Sequence, residues 1–110
     1  MNDLLEKHCL PCEGGVQPLN KSEAQNKLLQ IPGWSLNPAA NELSRAFEFK
    51  NFYRTMSFVN AVAHIANQEN HHPDLEVGYN YCRIRYSTHA IQGLSENDFI
   101  CAAKINELLK

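Results

Sequence analysis

Residues 51–73 read NFYRTMSFVNAVAHIANQENHHP, and this stretch sets both the architecture and the place to look for chemistry. Phe52, Met56, Val59, Ala63 and Ala66 recur at three- and four-residue steps, and Phe58, Val62 and Ile65 broaden the stripe. That spacing predicts an amphipathic helix from about Asn51 to Glu69. Asn51 supplies an N-cap, and Pro73 forbids continuation because it lacks an N–H and crowds the preceding turn, so the helix is expected to end at His71-His72. Such a helix needs an apolar surface to lie on.

On both sides the apolar period changes to two. Upstream, Trp34 to Leu36 and Glu42 to Lys50 alternate, with Leu43, Phe47 and Phe49 on one face and Ser44, Ala46 and Glu48 on the other, while Arg45 interrupts the apolar face. Asn37-Pro-Ala-Ala-Asn41 has turn chemistry, which makes these segments an antiparallel hairpin. Downstream, Leu75 to Tyr79 and Tyr81 to Thr88 form a second hairpin, with Cys82, Ile84 and Tyr86 facing one way. Arg83, Arg85 and Ser87 face the other, where the arginines are expected to be solvated or at subunit contacts.

Two shorter helices complete the pattern. Ser22 reads as the N-cap of a helix over 23–30, stopped by Pro32-Gly33 and burying Ala24, Leu28 and Leu29. Ser95 to Asp98 opens a last helix in capping-box style, with Phe99, Ala102, Ala103, Ile105 and Leu109 apolar and Asp98 satisfying first-turn amides. Two hairpins merging into one sheet predict an α+β fold, a single antiparallel four-stranded sheet with three helices packed on one face. Pro11, Gly14, Gly15 and Pro18 break up residues 1–20, which are expected to be an irregular N-terminal arm.

The 110 residues suit one domain, 1–110, and 44% hydrophobic with 20% charged residues is an ordinary globular balance. A net charge of −2 leaves no cationic excess for phosphates, so no nucleic-acid partner is expected. No segment approaches the roughly 18 apolar residues of a membrane span, and the start lacks a signal peptide's apolar stretch, so a cytoplasmic protein with no membrane partner is expected. Reduced thiols are expected for the four cysteines.

Asn70-His71-His72-Pro73 places two imidazoles where the long helix gives way to a strand. Pro73 pushes His72 towards an extended conformation, so His71 and His72 should point differently. Imidazole, with an unperturbed pKa of about 6.5, gives or takes a proton near neutrality. The pair alone would serve equally well as a cationic helix terminus, an interaction of about 0.3–1 kcal/mol. Ser87-Thr88-His89 adds two hydroxyls and a third imidazole at a strand end, and convergence of the two junctions would make an acid–base pocket. Zinc is disfavoured: His64 sits two turns before His71, but no H-x-x-x-H or H-x-x-E-H element is present. Cys9-Leu-Pro-Cys12, even with His8, lacks a second C-x-x-C among Cys82 and Cys101, so no metal is expected.

His71-His72-Pro73, Tyr79, Ser87-Thr88-His89, Gly93-Leu94-Ser95 and Asp98 together resemble the signature of the pterin-4a-carbinolamine dehydratase family, in its bacterial branch. The resemblance also takes in the Cys9/Cys12 arm, Ile31-Pro-Gly-Trp34, Phe49-Lys-Asn-Phe52 and Asn97-Asp-Phe-Ile100. One departure is Asn67, where many members carry an acidic residue four positions before the first histidine. The resemblance implies a lyase converting 4a-hydroxytetrahydrobiopterin, or a related pterin, to quinonoid dihydropterin and water. His71, His72 and His89 would be catalytic, and Asn70, Pro73, Ser87, Thr88 and Asp98 would join them in binding substrate. No cofactor is needed, since the pterin is the substrate. The resemblance further implies a homodimer or homotetramer that recycles the cofactor of an aromatic amino acid hydroxylase, itself a possible partner. A pterin-binding, regulatory or molybdopterin-pathway role on the same fold is the alternative.

Overall fold

The computed structural model describes residues 3–10 and 17–110. In chain order it contains helix α1 (Lys21–Leu28), strands β1 (Ser35–Leu36) and β2 (Leu43–Glu48), helix α2 (Phe52–Glu69), strands β3 (Asp74–Val77) and β4 (Tyr81–Tyr86), and helix α3 (Glu96–Glu107). Short 3₁₀ turns lie at Asp3–Glu6 and His89–Ile91. The strands form one antiparallel sheet in the order β1-β2-β4-β3, so the two hairpins join along β2 and β4. Among the described residues no helix is long and apolar enough to cross a membrane.

Register decides which face is buried. Leu43 pairs with Tyr86 and Phe47 with Cys82, with Arg45 opposite Ile84 between them, and all five apolar members are buried. α2 covers this face with Phe58, Val62 and Ile65, and Phe58 packs its ring against Phe47 at 4.7 Å and Phe49 at 5.0 Å. Burying such side chains stabilises by about 1.5–3 kcal/mol each. α3 is buried through Phe99, Ile100, Cys101, Ala102, Ala103 and Ile105, so it forms the centre of the helical layer. On the opposite face Arg83 and Arg85 are turned towards Glu76 of the neighbouring strand, at 3.0 and 3.9 Å.

Several local expectations shift. The α2 stripe is rotated: Phe52 and Ala63 are exposed, while Thr55 and Glu69 are buried. α1 is capped by Asn20 rather than Ser22, because Asn20 and Glu23 exchange side-chain to backbone hydrogen bonds in a full capping box. Leu29 and Leu109 face solvent, each at or beyond a helix end. Among its described residues the N-terminal arm has only the 3₁₀ turn, yet Leu4 is buried in the common core and Lys104 Nζ donates to the Leu5 carbonyl at 3.0 Å. Pro11, Cys12, Gly14 and Gly15 lie outside the described residues.

Arg45 reaches the sheet's apolar face without burying its charge. Its guanidinium lies 4.4 Å from the Phe47 ring centroid and donates to Pro32 O at 3.1 Å and Asn106 Oδ1 at 2.7 Å. The turn before β1 gives it room with a glycine at residue 33. Gly33 has φ +90°, and a Cβ there would stand 2.7 Å from Arg45 Cζ. Gly33→Ala is therefore expected to destabilise the fold by about 1–3 kcal/mol, less in an Arg45→Ala background, where the clash is gone and the backbone strain remains. Urea denaturation of the four proteins measures this, and equal costs in both backgrounds would contradict the assigned clash.

Candidate active site

The end of α2 is built by a left-handed residue. Asn70 adopts φ 52°, ψ 42°, which an asparagine tolerates, and this turns the chain so that the His71 N–H reaches back to the Ala66 carbonyl at 3.1 Å. The next two residues leave the helix, with His71 largely buried and His72 exposed. His72 Nε2 lies 3.3 Å from Asn67 Oδ1.

The second wall begins where β4 stops. Thr88 bridges to Gly93, and between them residues 89–91 form the 3₁₀ turn, closed by Gln92 at φ 52°. His89 is thus carried on a tight loop at the sheet's end, exposed and away from the core. Thr88 itself is buried.

α3 ties the two walls together through Asp98, which is fully buried. Asp98 Oδ1 lies 2.6 Å from His71 Nε2, and Oδ2 accepts from Thr88 Oγ1 at 2.8 Å and the Ser95 backbone N–H at 3.0 Å. The Ser95 bond is the capping interaction expected from sequence. The same carboxylate also fixes the imidazole. On its other side His71 stacks on the buried Tyr86 ring, with centroids 5.4 Å apart and planes 10° from parallel.

Burial disfavours the His71 imidazolium, but the hydrogen bond and charge of Asp98, helped by the nearby Cys101 sulfur, outweigh it. His71 therefore titrates above the ordinary imidazole value. Its hydrogen bond to Asp98 uses Nε2, so proton exchange with a ligand falls to Nδ1.

A cavity of about 490 Å³ opens between these walls, lined by Asn70, His71, His72, Ser87, Thr88 and His89 together with Cys9, Leu10, Glu69, Ala90 and Asn97. The two histidine-bearing junctions thus share one cleft. Asp98 and Pro73 are absent from its wall: Asp98 sits behind His71, and Pro73 follows the α2 exit. Sequence reasoning missed Cys9, Leu10, Glu69, Ala90 and Asn97. Glu69 had a signal, since a carboxylate in step with Phe58, Val62 and Ile65 lies on the buried stripe. It accepts from the Cys9 N–H at 2.7 Å and pairs with His8 Nδ1 at 2.9 Å, so it anchors the arm. Burial would raise its pKa, but these bonds and Lys104 hold it below the usual carboxylate value. Among the described residues, no three His, Cys, Asp or Glu side chains gather as metal ligands.

The family model described as pterin 4 alpha carbinolamine dehydratase matches residues 17–108. A protein of Nitrosomonas eutropha, provisionally named pterin-4-alpha-carbinolamine dehydratase, is 63% identical over 108 residues, covering 97% of this chain and 94% of that protein. A crystal structure from Brucella melitensis, described as a transcriptional coactivator/pterin dehydratase, superposes with TM-score 0.81 at 29% identity, covering 86% of this chain and all of that one. The fold alone is shared with a pterin dehydratase-like protein described as a RuBisCO assembly factor, at TM-score 0.60 and 22% identity over 69% of this chain and 88% of that one. Matched from before α1 to the end of α3 and along nearly the full length of a close relative, the chain belongs to the pterin 4 alpha carbinolamine dehydratase family.

Proposed function

We propose that this protein dehydrates a 4a-hydroxytetrahydropterin, with His71 as general acid and His89 as general base. The reading rests on one observation above others: a buried carboxylate holds the cavity-lining His71 by Nε2. In the reaction the C4a–O bond breaks, the N5 proton leaves, and a C4a=N5 bond forms, giving quinonoid dihydropterin and water. The leaving hydroxyl needs a proton. His71, kept protonated to higher pH by Asp98, supplies it from Nδ1, and the imidazolium charge is neutralised by the carboxylate behind it.

His89 takes the N5 proton from its place in the same cleft, and its exposure lets it exchange that proton with water. His72, Asn70, Ser87 and Thr88 line the remaining wall and offer donors and acceptors to the pterin's fused, amide-bearing rings. The substrate would be 4a-hydroxytetrahydrobiopterin or a close relative, released by an aromatic amino acid hydroxylase whose cofactor is thereby recycled. No bound cofactor enters the chemistry, because proton transfers alone complete it. A homodimer or homotetramer in the cytoplasm is part of the reading. The self-association is supported by edge strand β3, whose Leu75 and Val77 are 37% and 39% exposed in the single chain.

The decisive test follows the loss of water from freshly generated 4a-hydroxytetrahydropterin by ultraviolet absorbance. Wild-type protein should accelerate it, and His71→Ala and His89→Ala should each lose about 10²–10⁴-fold of the acceleration while remaining folded. A folded wild-type protein that leaves the spontaneous rate unchanged would overturn the proposal.

Proton linkage supplies a second expectation. Because the His71 pKa is raised on folding, its pair with Asp98 stabilises fully below about pH 6.5 and progressively less as pH rises through the folded-state value. Asp98→Asn should cost about 3 kcal/mol near pH 6, and the gap to wild type should narrow towards pH 9. The alkaline limb of the rate profile should move to lower pH in the same variant. Denaturation and rate profiles across this range check both, and a gap that widens with pH would refute the sign.

A further inference from the structure

The cysteine-bearing arm has no part in the dehydration just described, yet it is placed with some care. Cys9 and Cys101 are 92 positions apart in the chain, and their Sγ atoms lie 3.6 Å from each other. The arm is held on either side of this contact. The Cys9 N–H donates to Glu69 Oε1 at 2.7 Å, the Leu10 N–H donates to Asn97 Oδ1 at 3.0 Å, and Asn97 Nδ2 donates back to the Leu10 carbonyl at 2.6 Å. The two thiols therefore meet in a register fixed by backbone bonds.

We propose that Cys9 and Cys101 are an oxidation site, a dithiol that a hydroperoxide converts to a disulfide tying the N-terminal arm to α3 beside the cavity. Cys9 is half-buried and lines the cavity, whereas Cys101 is fully buried behind it. The oxidant thus meets Cys9 first. The Cys9 thiolate attacks one peroxide oxygen, the O–O bond breaks, and a sulfenic acid forms while the departing oxygen takes a proton from solvent and leaves as water or an alcohol. Cys101 then attacks the Cys9 sulfur and displaces hydroxide, which leaves as water with the Cys101 proton. Two thiols are oxidised and one hydroperoxide is reduced.

The surroundings place the resting thiolate on Cys101, so it is exposure to the cavity that makes Cys9 the sulfur oxidised first. The Cys9 S–H stabilises a thiolate on Cys101 by hydrogen bonding, and although burial opposes the charge, nearby His71 and Tyr86 add to its support. Cys9, holding the remaining proton and close to Glu69, is pushed up. Passing that proton across the 3.6 Å contact, against this resting preference, delivers the thiolate to the sulfur the cavity exposes. Tyr86 contributes without a rival claim, since its buried hydroxyl has no well-aligned hydrogen-bond partner among the described residues.

The experiment treats reduced full-length protein with hydrogen peroxide, alkylates free thiols under denaturing conditions, and maps peptides without reduction. Wild type and Cys12→Ser should both yield a peptide linking Cys9 to Cys101, and Cys9→Ser should not. Closing a loop of this length should also raise the melting temperature of the oxidised protein by about 5–10 °C, reversed by dithiothreitol and missing in Cys9→Ser. These readouts do not depend on dehydratase activity. A Cys9–Cys12 peptide in place of the expected one, or a Cys9 sulfinic acid with Cys101 still alkylated, would overturn the proposal.

Discussion

The buried carboxylate of Asp98 is the constraint around which the rest is arranged. It accepts from Thr88 after β4, from the backbone at the start of α3, and meets His71 after α2, so three chain junctions converge on two oxygens. An ionised carboxylate without partners in that position would be untenable, because removing such a charge from water costs several kcal/mol. Each junction is thereby obliged to be where it is. The bonds that make Asp98 tolerable are also those that set the imidazole's orientation, so stability and site geometry rest on the same few atoms.

This convergence divides the histidines by environment. His71 is pinned between a carboxylate and a tyrosine ring, with its side chain 13% exposed, while His72 and His89 stand in solvent at the cleft's edge. A pinned imidazole has one free nitrogen and a biased proton affinity. An exposed one exchanges protons readily with water. Adjacent residues reach such different settings because Asn70 takes the left-handed turn and Pro73 forbids a second helical one. Sequence neighbours become unlike chemical groups through two backbone constraints.

Much of the fold was legible because its signals are local. Asn51 as a cap, the alternation of Cys82, Ile84 and Tyr86, and the Ser95-to-Asp98 start of α3 depend on neighbours a few residues away, and all are found. Apart from the α1 cap, which Asn20 takes from Ser22, the main misses are long-range. The α2 stripe turns out rotated because the buried face admits Glu69, whose partners Cys9 and His8 are some sixty residues upstream. Arg45 looked like a defect in β2 because Asn106 and Pro32, which receive its guanidinium, cannot be read from alternation. At the site, Asn70, His71, His72, Ser87, Thr88 and His89 share one cleft, but the arm's contribution was hidden in a stretch that has no periodicity to read.

The two buried carboxylates also show what position 67 does and does not touch. Glu69 is nearer to His71 in sequence than Asp98 is, yet it faces the arm, because the left-handed turn at Asn70 swings His71 away from the α2 stripe. A carboxylate on α2 is therefore committed to closing one side of the cleft, and the one that holds His71 has to come from another element. Position 67, two residues before Glu69, points to His72 instead. A neutral amide there touches an exposed imidazole, while the imidazole bound to Asp98 keeps its partner; a charge at position 67 would stand on the exposed side, where solvent screens it.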